Sequence, residues 1–312
     1  MKELGKSGLE ISPLVLGGNV FGWTIDEATS FKVLDAFVSY GFNCIDTADI
    51  YATWAPGNKA GISETIIGKW LKQNGNRDKV VIATKVGKEM GPGKKGLSKS
   101  YIHSALDASL KRLQTDYVDL YQSHEDDPHT PLQETLEAYA ELIDQGKVRA
   151  IGASNFDATR LSEALQVSKE NGLPSYQSLQ PLFNLYDRAD FEGKLETACT
   201  ENNIGVIPYS SLASGFLTGK YRSVNDLSKS PRGSGIGKKY LTPRGNRLLN
   251  ALDQIAEKYG SSPAKVALAW LMARPSVTAP IVSATNLSQL NDIIDSTKLH
   301  LDSSSIEVLN QI

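Results

Sequence analysis

Cysteine is nearly absent: the 312-residue chain has two, Cys44 and Cys199, far apart in sequence. Two such residues build no disulfide scaffold, and neither has the close-spaced partners of a metal finger, so a reducing compartment and no metal site are expected. A surplus of one charge is also lacking. Lysine and arginine number 33 against 35 acidic residues, which leaves no electrostatic footprint for nucleic acid. No stretch approaches the ~20 uninterrupted apolar residues that cross a bilayer. The N-terminal run Met1–Gly8 has no apolar core of a secretion signal. A cytoplasmic protein with neither membrane nor nucleic-acid partners is expected. Two phosphate signatures are missing as well. No Gly-x-Gly-x-x-Gly follows a strand-like run, and Gly233-Ser-Gly-Ile-Gly-Lys-Lys239 lacks both the Walker spacing and a hydroxyl residue after its lysine.

What is present is alternation. Eight short apolar or β-branched runs lie near Leu14–Leu16, Phe42–Ile45, Val80–Thr84, Tyr117–Tyr121, Ala150–Gly152, Ser178–Gln180, Ile204–Pro208 and Ala279–Val282. Between and after them lie helix-period segments: Glu27–Tyr40, Glu64–Gln73, Lys99–Leu113, Leu132–Gln145, Ala158–Asn171, Phe191–Asn202, Pro243–Tyr259 with Ser262–Arg274, and Ser288–Ser296. Runs apolar on both faces suit a parallel sheet covered on each side. Eight strand–helix units close an α/β barrel of the (β/α)8, or TIM, class, expected here as one domain over residues 1–312.

Ser63 ahead of Glu64, and Ser262-Pro263, read as helix starts; Gly41, Gly146 and Gly172 read as helix stops. Lys2–Ile11 reads as a β-hairpin around a glycine-bearing turn, placed to plug the N-terminal end of the barrel. The polar run Thr218–Pro243 reads as a long loop at the mouth after the seventh strand, either a lid over an anionic ligand or a solvated loop.

Four polar residues fall at or just past the C-terminal ends of strands two to four: Asp46 and Tyr51, Lys85, and His124. Singly each has an ordinary reading: a turn cap, a half-buried aromatic, a surface charge, a loop histidine. Together, at the face where barrel enzymes keep their reactive groups, they can deliver a proton to a carbonyl oxygen. An ammonium beside a phenol favours phenolate and is expected to lower the Tyr51 pKa from about 10. Asp46 can hold Lys85, and His124 can orient a carbonyl. Loops after strands seven and eight, Pro208–Gly215 and Ile281–Leu290, occupy the usual phosphate position of this architecture. In the second loop, Asn286 or Ser288 can also serve simply as a helix cap. Ser154, Asn155 and Gln180 end strands five and six and can bind a carboxamide; Tyr209 offers a flat face to a ring. Trp23 and Trp54, in mouth loops, can wall an apolar substrate pocket.

With these residues in view, the chain resembles the aldo-keto reductase superfamily over nearly its whole length. Asp46-Thr-Ala-Asp-Ile-Tyr51, Gly152-Ala-Ser-Asn-Phe156, Gln180-Pro-Leu-Phe-Asn184 and Ser211–Tyr221 carry the likeness, the last two favouring the bacterial and potassium-channel β-subunit branch. The resemblance implies a barrel that binds NADPH without a Rossmann domain and reduces a small carbonyl substrate. It implies Tyr51 as general acid, Lys85 and Asp46 as its tuners, and His124 as the carbonyl-orienting group. Ser154, Asn155 and Gln180 would hold the nicotinamide amide, and Tyr209 would stack on the ring. Ser210, Leu212, Ser214 and Gly215 would line the pyrophosphate, and Ser283, Thr285, Gln289 and Asp292 the adenosine end. Ser283 and Gln289 stand where aldose-reductase-like members carry Lys and Arg, and Ile293 where they carry Asn. Lys220 or Arg222 is then expected to supply the missing cation, with NADPH preferred and NADH usable. A rival reading is a redox-sensing regulatory module on the same barrel, as in channel β-subunits. A third is an aldolase or isomerase with Lys85 as a Schiff base, disfavoured because a lysine held beside a carboxylate stays charged.

Overall fold

Why the strand runs are short and apolar becomes plain from where each side of a strand points. The structure is a computed structural model, described for residues 1–55 and 57–312. Barrel strands β3 (Val15–Gly17), β4 (Cys44–Asp46), β5 (Val81–Val86), β6 (Val118–Ser123), β7 (Val148–Ser154), β8 (Ser178–Gln180), β9 (Gly205–Val206) and β10 (Ile281–Val282) form one parallel sheet. Its order is β10-β3-β4-β5-β6-β7-β8-β9. The ends meet: the Thr278 N–H donates to the Val206 carbonyl at 2.8 Å and the Ile281 N–H to the Pro208 carbonyl at 2.9 Å. This is the expected (β/α)8 barrel, each strand within a residue or two of its apolar run.

Successive strand residues face opposite ways. Val15, Cys44, Val81, Ala83, Leu120, Ala150, Ile207 and Ile281 share an inner cluster, whereas Leu16, Ile45, Ile82, Tyr121, Ile151 and Leu179 join the outer core beneath the helices. The same two-residue period, carried toward the strands' C-terminal ends, continues Cys44 to Asp46, Ala83 to Lys85, and Leu120 to Gln122 and His124. Buried polar groups therefore sit directly above an apolar barrel floor.

The N-terminal hairpin closes the other end. Strand β1 (Lys2–Glu3) pairs antiparallel with β2 (Glu10–Ile11), and Leu4, Leu9 and Ile11 complete the inner cluster. Gly5 has φ +62°, and a Cβ there would stand 2.1 Å from the Gln177 carbonyl oxygen, so only glycine lets the plug seat. Toward the N-terminal ends of the strands, buried Asp119 accepts from Arg77 at 2.7 Å, Arg149 at 2.9 Å and the Ile82 N–H at 2.9 Å.

The covering helices are α1 (Glu27–Ser39), α2 (Ile62–Asn74), α3 (Lys99–Leu113), α4 (Leu132–Asp144), α5 (Ala158–Asn171), α6 (Lys194–Asn202), α7 (Gly233–Tyr240), α8 (Pro243–Lys258), α9 (Pro263–Met272), α10 (Leu287–Asp295) and α11 (Ser303–Asn310). Ser262 caps α9 through the Lys265 N–H, with Pro263 in the first turn. Gly41, Gly146 and Gly172 all take positive φ just past a helix. Ser63, however, is not a cap. Helix α2 starts at Ile62, two residues before the expected Glu64, behind left-handed Gly61, and the Ser63 hydroxyl donates instead to the Gly18 carbonyl at 2.8 Å.

The Thr218–Pro243 segment also departs from expectation. It is not a bare loop but carries a 3-10 turn at Val224–Lys229 followed by α7. Tyr221, Ile236 and Tyr240 are buried, and the Tyr240 hydroxyl donates to Asp187 at 2.7 Å.

Candidate active site

Strands β4, β5 and β6 bring the four expected groups together. The Lys85 ammonium, fully buried, donates to Asp46 Oδ2 at 2.7 Å, to the Thr47 carbonyl at 2.7 Å and to the Tyr51 hydroxyl at 2.9 Å. Its three N–H bonds are thereby used, which fixes the head group tetrahedrally. The Tyr51 hydroxyl lies 3.2 Å from Asp46 Oδ2. His124 stands edge-on to Tyr51 with ring centroids 6.0 Å apart, and its backbone N–H donates to the Val86 carbonyl at 2.8 Å. The other carboxylate oxygen, Asp46 Oδ1, accepts from Gln180 at 2.8 Å and Gln122 at 3.3 Å. Gln122 was not anticipated, although its place between Leu120 and His124 on one strand face marks it.

The protonation states do not follow the simple expectation. Burial first, and Asp46 second, push the Tyr51 phenol well above its ordinary value. The ammonium does pull the other way, but the Asp46 carboxylate on the same nitrogen offsets it, so desolvation decides. The expected net lowering of Tyr51 is therefore corrected: the phenol is firmly neutral, a donor that still holds its proton. Burial also lowers Lys85 despite the Asp46 charge. Burial, helped by the Lys85 and Lys88 cations, holds His124 well below 6.5. Its Nδ1 is buried without a hydrogen-bond partner among the described residues. A neutral imidazole, a neutral phenol and a fixed ammonium thus face one point.

Behind them lies a group the sequence did not single out. Asp49 is fully buried, and both its carboxylate oxygens lack a partner among the described residues. Burial and the nearby Glu64 carboxylate raise it to about 8. Glu64 itself is satisfied by Thr84 at 2.6 Å and Arg112 at 2.6 Å.

Around the mouth, the Asn155 amide donates to the His124 carbonyl at 2.8 Å and to Ser154 Oγ, and its oxygen accepts from Tyr209 at 2.8 Å. The Ser154 hydroxyl donates to the Gln180 carbonyl at 2.9 Å. Beyond Tyr209 the backbone is strained: Ser210, Ala213 and Ser214 hold φ of 57°, 49° and 58°, with Gly215 at 99°. Such left-handed non-glycine residues cluster at ligand clamps. Ser210 Oγ accepts from the Ser214 N–H at 3.2 Å, and Leu212 packs into the outer core, leaving its backbone for contact. The exposed Lys220 ammonium passes close to Gly215. Arg222 does not join it, being turned to Asp253 at 2.7 Å.

At the eighth strand, the Ser283 hydroxyl donates to Asn19 at 2.6 Å, and Thr285 donates through both N–H and hydroxyl to Gln289. Asn286 is the cap of α10, accepting from the Gln289 N–H. Asp292 pairs with Lys265 at 3.2 Å. Trp23 meets Trp54 edge-on at 5.6 Å, and Trp54 meets Tyr51 at 5.9 Å. No cluster of three metal-ligating side chains occurs, and no helix is long and apolar enough to cross a membrane, among the described residues.

The model of the Aldo/keto reductase family matches residues 13–312. The chain is 36% identical to the uncharacterized oxidoreductase YrpG of Bacillus subtilis, over 99% of this chain and 94% of that protein. It is 33% identical to Protein tas of Escherichia coli, over 98% and 96%. It is 34% identical to a probable voltage-gated potassium channel subunit beta of Arabidopsis thaliana, over 93% and 89%. A (β/α)8 barrel with a buried polar cluster at the C-terminal ends of its strands, matched by one family over nearly its full length, belongs to the aldo/keto reductase family.

Proposed function

We propose that the protein reduces an aldehyde or ketone to an alcohol with a reduced nicotinamide dinucleotide, NADPH in preference to NADH. One observation carries this reading: a single buried ammonium holds a carboxylate and a neutral phenol within 2.9 Å, with a neutral imidazole across the phenol ring. The chemistry the dinucleotide supplies when bound is hydride. The protein's part is the proton. Tyr51 gives its hydrogen to the carbonyl oxygen as negative charge grows there, and Lys85, 2.9 Å away, stabilises the resulting phenolate. Asp46 keeps Lys85 charged in a dry site. His124 donates a hydrogen bond to the same carbonyl oxygen and fixes its direction.

The residues at the mouth fit the dinucleotide. Asn155 is exposed there beside Ser154, and Gln180 spends its N–H groups on Asp46 and Gln122, leaving its carbonyl oxygen for a carboxamide. Tyr209 supplies a ring face, and strained Ser210–Gly215 with Lys220 supplies an oxyanion cradle. Ser283, Thr285, Gln289 and Asp292 surround the adenosine end. Lys265 pairs with Asp292 at that end and with Asp295, and both pairs are partly exposed; such pairs are weak, so it can turn to a 2′-phosphate. The residues fit a small-molecule enzyme in the cytoplasm. Similarity to proteins named as channel β subunits supports a second reading, a redox-sensing module with slow turnover.

Tyr51→Phe tests the first. It should keep dinucleotide affinity within about twofold and lower kcat by 10²–10⁴, the range of one general acid. Full turnover of generic aldehydes by that variant would dismiss the role, and tight dinucleotide retention with near-single turnover by the wild type would favour the sensor.

A further inference from the structure

Gln122 is fully buried inside the barrel, and both hydrogen bonds of its amide run to groups that face the reaction. Its Nε2 donates to Asp46 Oδ1 at 3.3 Å, and its Oε1 accepts from Gln180 Nε2 at 3.2 Å. Gln180 Nε2 also donates to Asp46 Oδ1, at 2.8 Å. The three side chains therefore close a triangle. Both hydrogens of the Gln180 amide are spent in it, which fixes the way that amide faces. The Asp46 carboxylate is divided between two tasks. Oδ2 serves Lys85 and Tyr51, and Oδ1 serves the two amides.

The backbone makes room for the triangle. Lys85, Gln122, Gly152, Ser178 and Gly205 are register partners on five neighbouring strands. A Cβ on Gly152 would press on Gln122 Cγ at 3.1 Å, so a larger residue at 152 would push the glutamine off its line to Asp46. The titratable groups around Gln122 are Cys44 and Asp46 on β4, Lys85 on β5, His124 above it on β6, and Tyr51 beyond; β7 and β8 present Ala150, Gly152, Ser178 and Gln180, which carry no charge. Without Gln122, Asp46 Oδ1 loses one of its two donors and a buried Gln180 N–H loses its acceptor. A buried carboxylate short of donors turns to find others, carrying Oδ2 off Lys85.

We propose that Gln122 is a positioning residue: it holds the Asp46 carboxylate at the tilt that seats Lys85 against Tyr51, and it ties that carboxylate to the Gln180 amide that receives the dinucleotide's carboxamide. One network thereby sets both the proton donor and the reactive end of the dinucleotide. What is positioned rests on the reductase reading.

The test uses the full chain, a generic aldehyde, and tryptophan fluorescence with two ligands, NADPH and 2′-phospho-ADP-ribose, which lacks the nicotinamide. Gln122→Leu should lower kcat by about tenfold or more, since a hydrogen bond to a charged group is worth about one to two decades. It should raise the Kd for NADPH by about threefold or more and that for 2′-phospho-ADP-ribose by less than about twofold, because only the first ligand reaches Gln180. Gln122→Glu adds a readout that packing alone does not move. Ionised, the new carboxyl repels Asp46; protonated, it donates to Oδ1 again. Beside Asp46 it titrates above the ordinary carboxylate range. The kcat of Gln122→Glu relative to wild type should therefore climb about tenfold as pH falls from about 8.5 to about 5.5. A Gln122→Leu protein with wild-type circular dichroism and with kcat and NADPH Kd within about twofold of wild type overturns the proposal, and so does a pH-independent ratio for Gln122→Glu. Should the leucine variant fail to fold, the glutamate ratio decides. A wild type that binds NADPH but reduces no aldehyde overturns the reductase reading instead, and the two Kd values then decide whether Gln122 holds Gln180.

Discussion

Replacing Asp49 by Asn should stabilise this protein, and by more as the pH rises. The carboxyl has no exposed surface and no partner at normal hydrogen-bond geometry among the described residues; burial and the Glu64 charge outweigh the Arg112 and Lys85 cations and the Ile50 N–H that pull the other way. Its pKa is raised from 3.8 to about 8. The sign follows from proton binding. Between those two values the folded chain keeps a proton that the unfolded chain releases, so stability falls as pH climbs from about 4 to about 8 and then levels. At about 1.4 kcal/mol per pH unit, the full displacement corresponds to an upper limit of order 5 kcal/mol at pH 8; local relaxation and water entry reduce what is measured. Asparagine removes the titration while keeping the shape. Urea unfolding at pH 5, 6, 7 and 8 gives the two stability curves. The difference between Asp49→Asn and wild type should be small at pH 5 and grow by at least ~2 kcal/mol by pH 8. Parallel curves over that range would refute the argument, because they would mean that the carboxylate is solvated or paired in solution.

Three further outcomes follow from the same geometry. Lys85→Met should lose most activity and also destabilise the fold by about 3–5 kcal/mol, since it strands a buried carboxylate; chemical denaturation beside an activity assay separates the two effects, and undiminished stability would argue against the buried pair. His124, held neutral by its surroundings, should contribute no acid limb to kcat/KM near pH 6.5; an inflection there that vanishes in His124→Gln would contradict its assigned state. Gly68→Ala should lower Tm by several degrees, because the added Cβ would stand 2.1 Å from the Arg112 carbonyl where α2 crosses α3; an unchanged Tm would mean that the two helices part freely.

The barrel was legible in the sequence because parallel strands buried on both faces read as plain apolar runs, and all eight lie where those runs do. That Asp46, Tyr51, Lys85 and His124 meet was legible for a related reason: a two-residue period carries the inner face from Ala83 to Lys85 and from Leu120 to His124. Helix α7 was not legible. Three of its eight residues are glycine, which argues against helix on propensity alone. The structure shows what they permit, since a Cβ on Gly233 would meet the Leu227 carbonyl at 1.7 Å and one on Gly237 would meet the Leu227 side chain at 2.7 Å. Tertiary packing, with Ile236 and Tyr240 buried, overrides the local preference. Helix α11 was missed too, although Asp302 caps it by accepting from the Ser305 N–H. Asp49 was not marked out because its distinction is burial without a partner, a property of three dimensions. The direction of the Tyr51 shift was misread for the same reason: adjacency to Lys85 could be inferred, the depth of desolvation could not.

Asp119, clasped by Arg77 and Arg149 near the N-terminal ends of the strands, holds three strands together at the end remote from Tyr51. That arrangement divides the labour of the chain. The Asp119 cluster stabilises one pole, while the partly exposed Trp23 and Trp54 ride on loops of the opposite pole. Variants drawn only from those mouth segments should therefore keep their shape while exploring new chemistry, so natural or laboratory selection can retune what enters the barrel without rebuilding it.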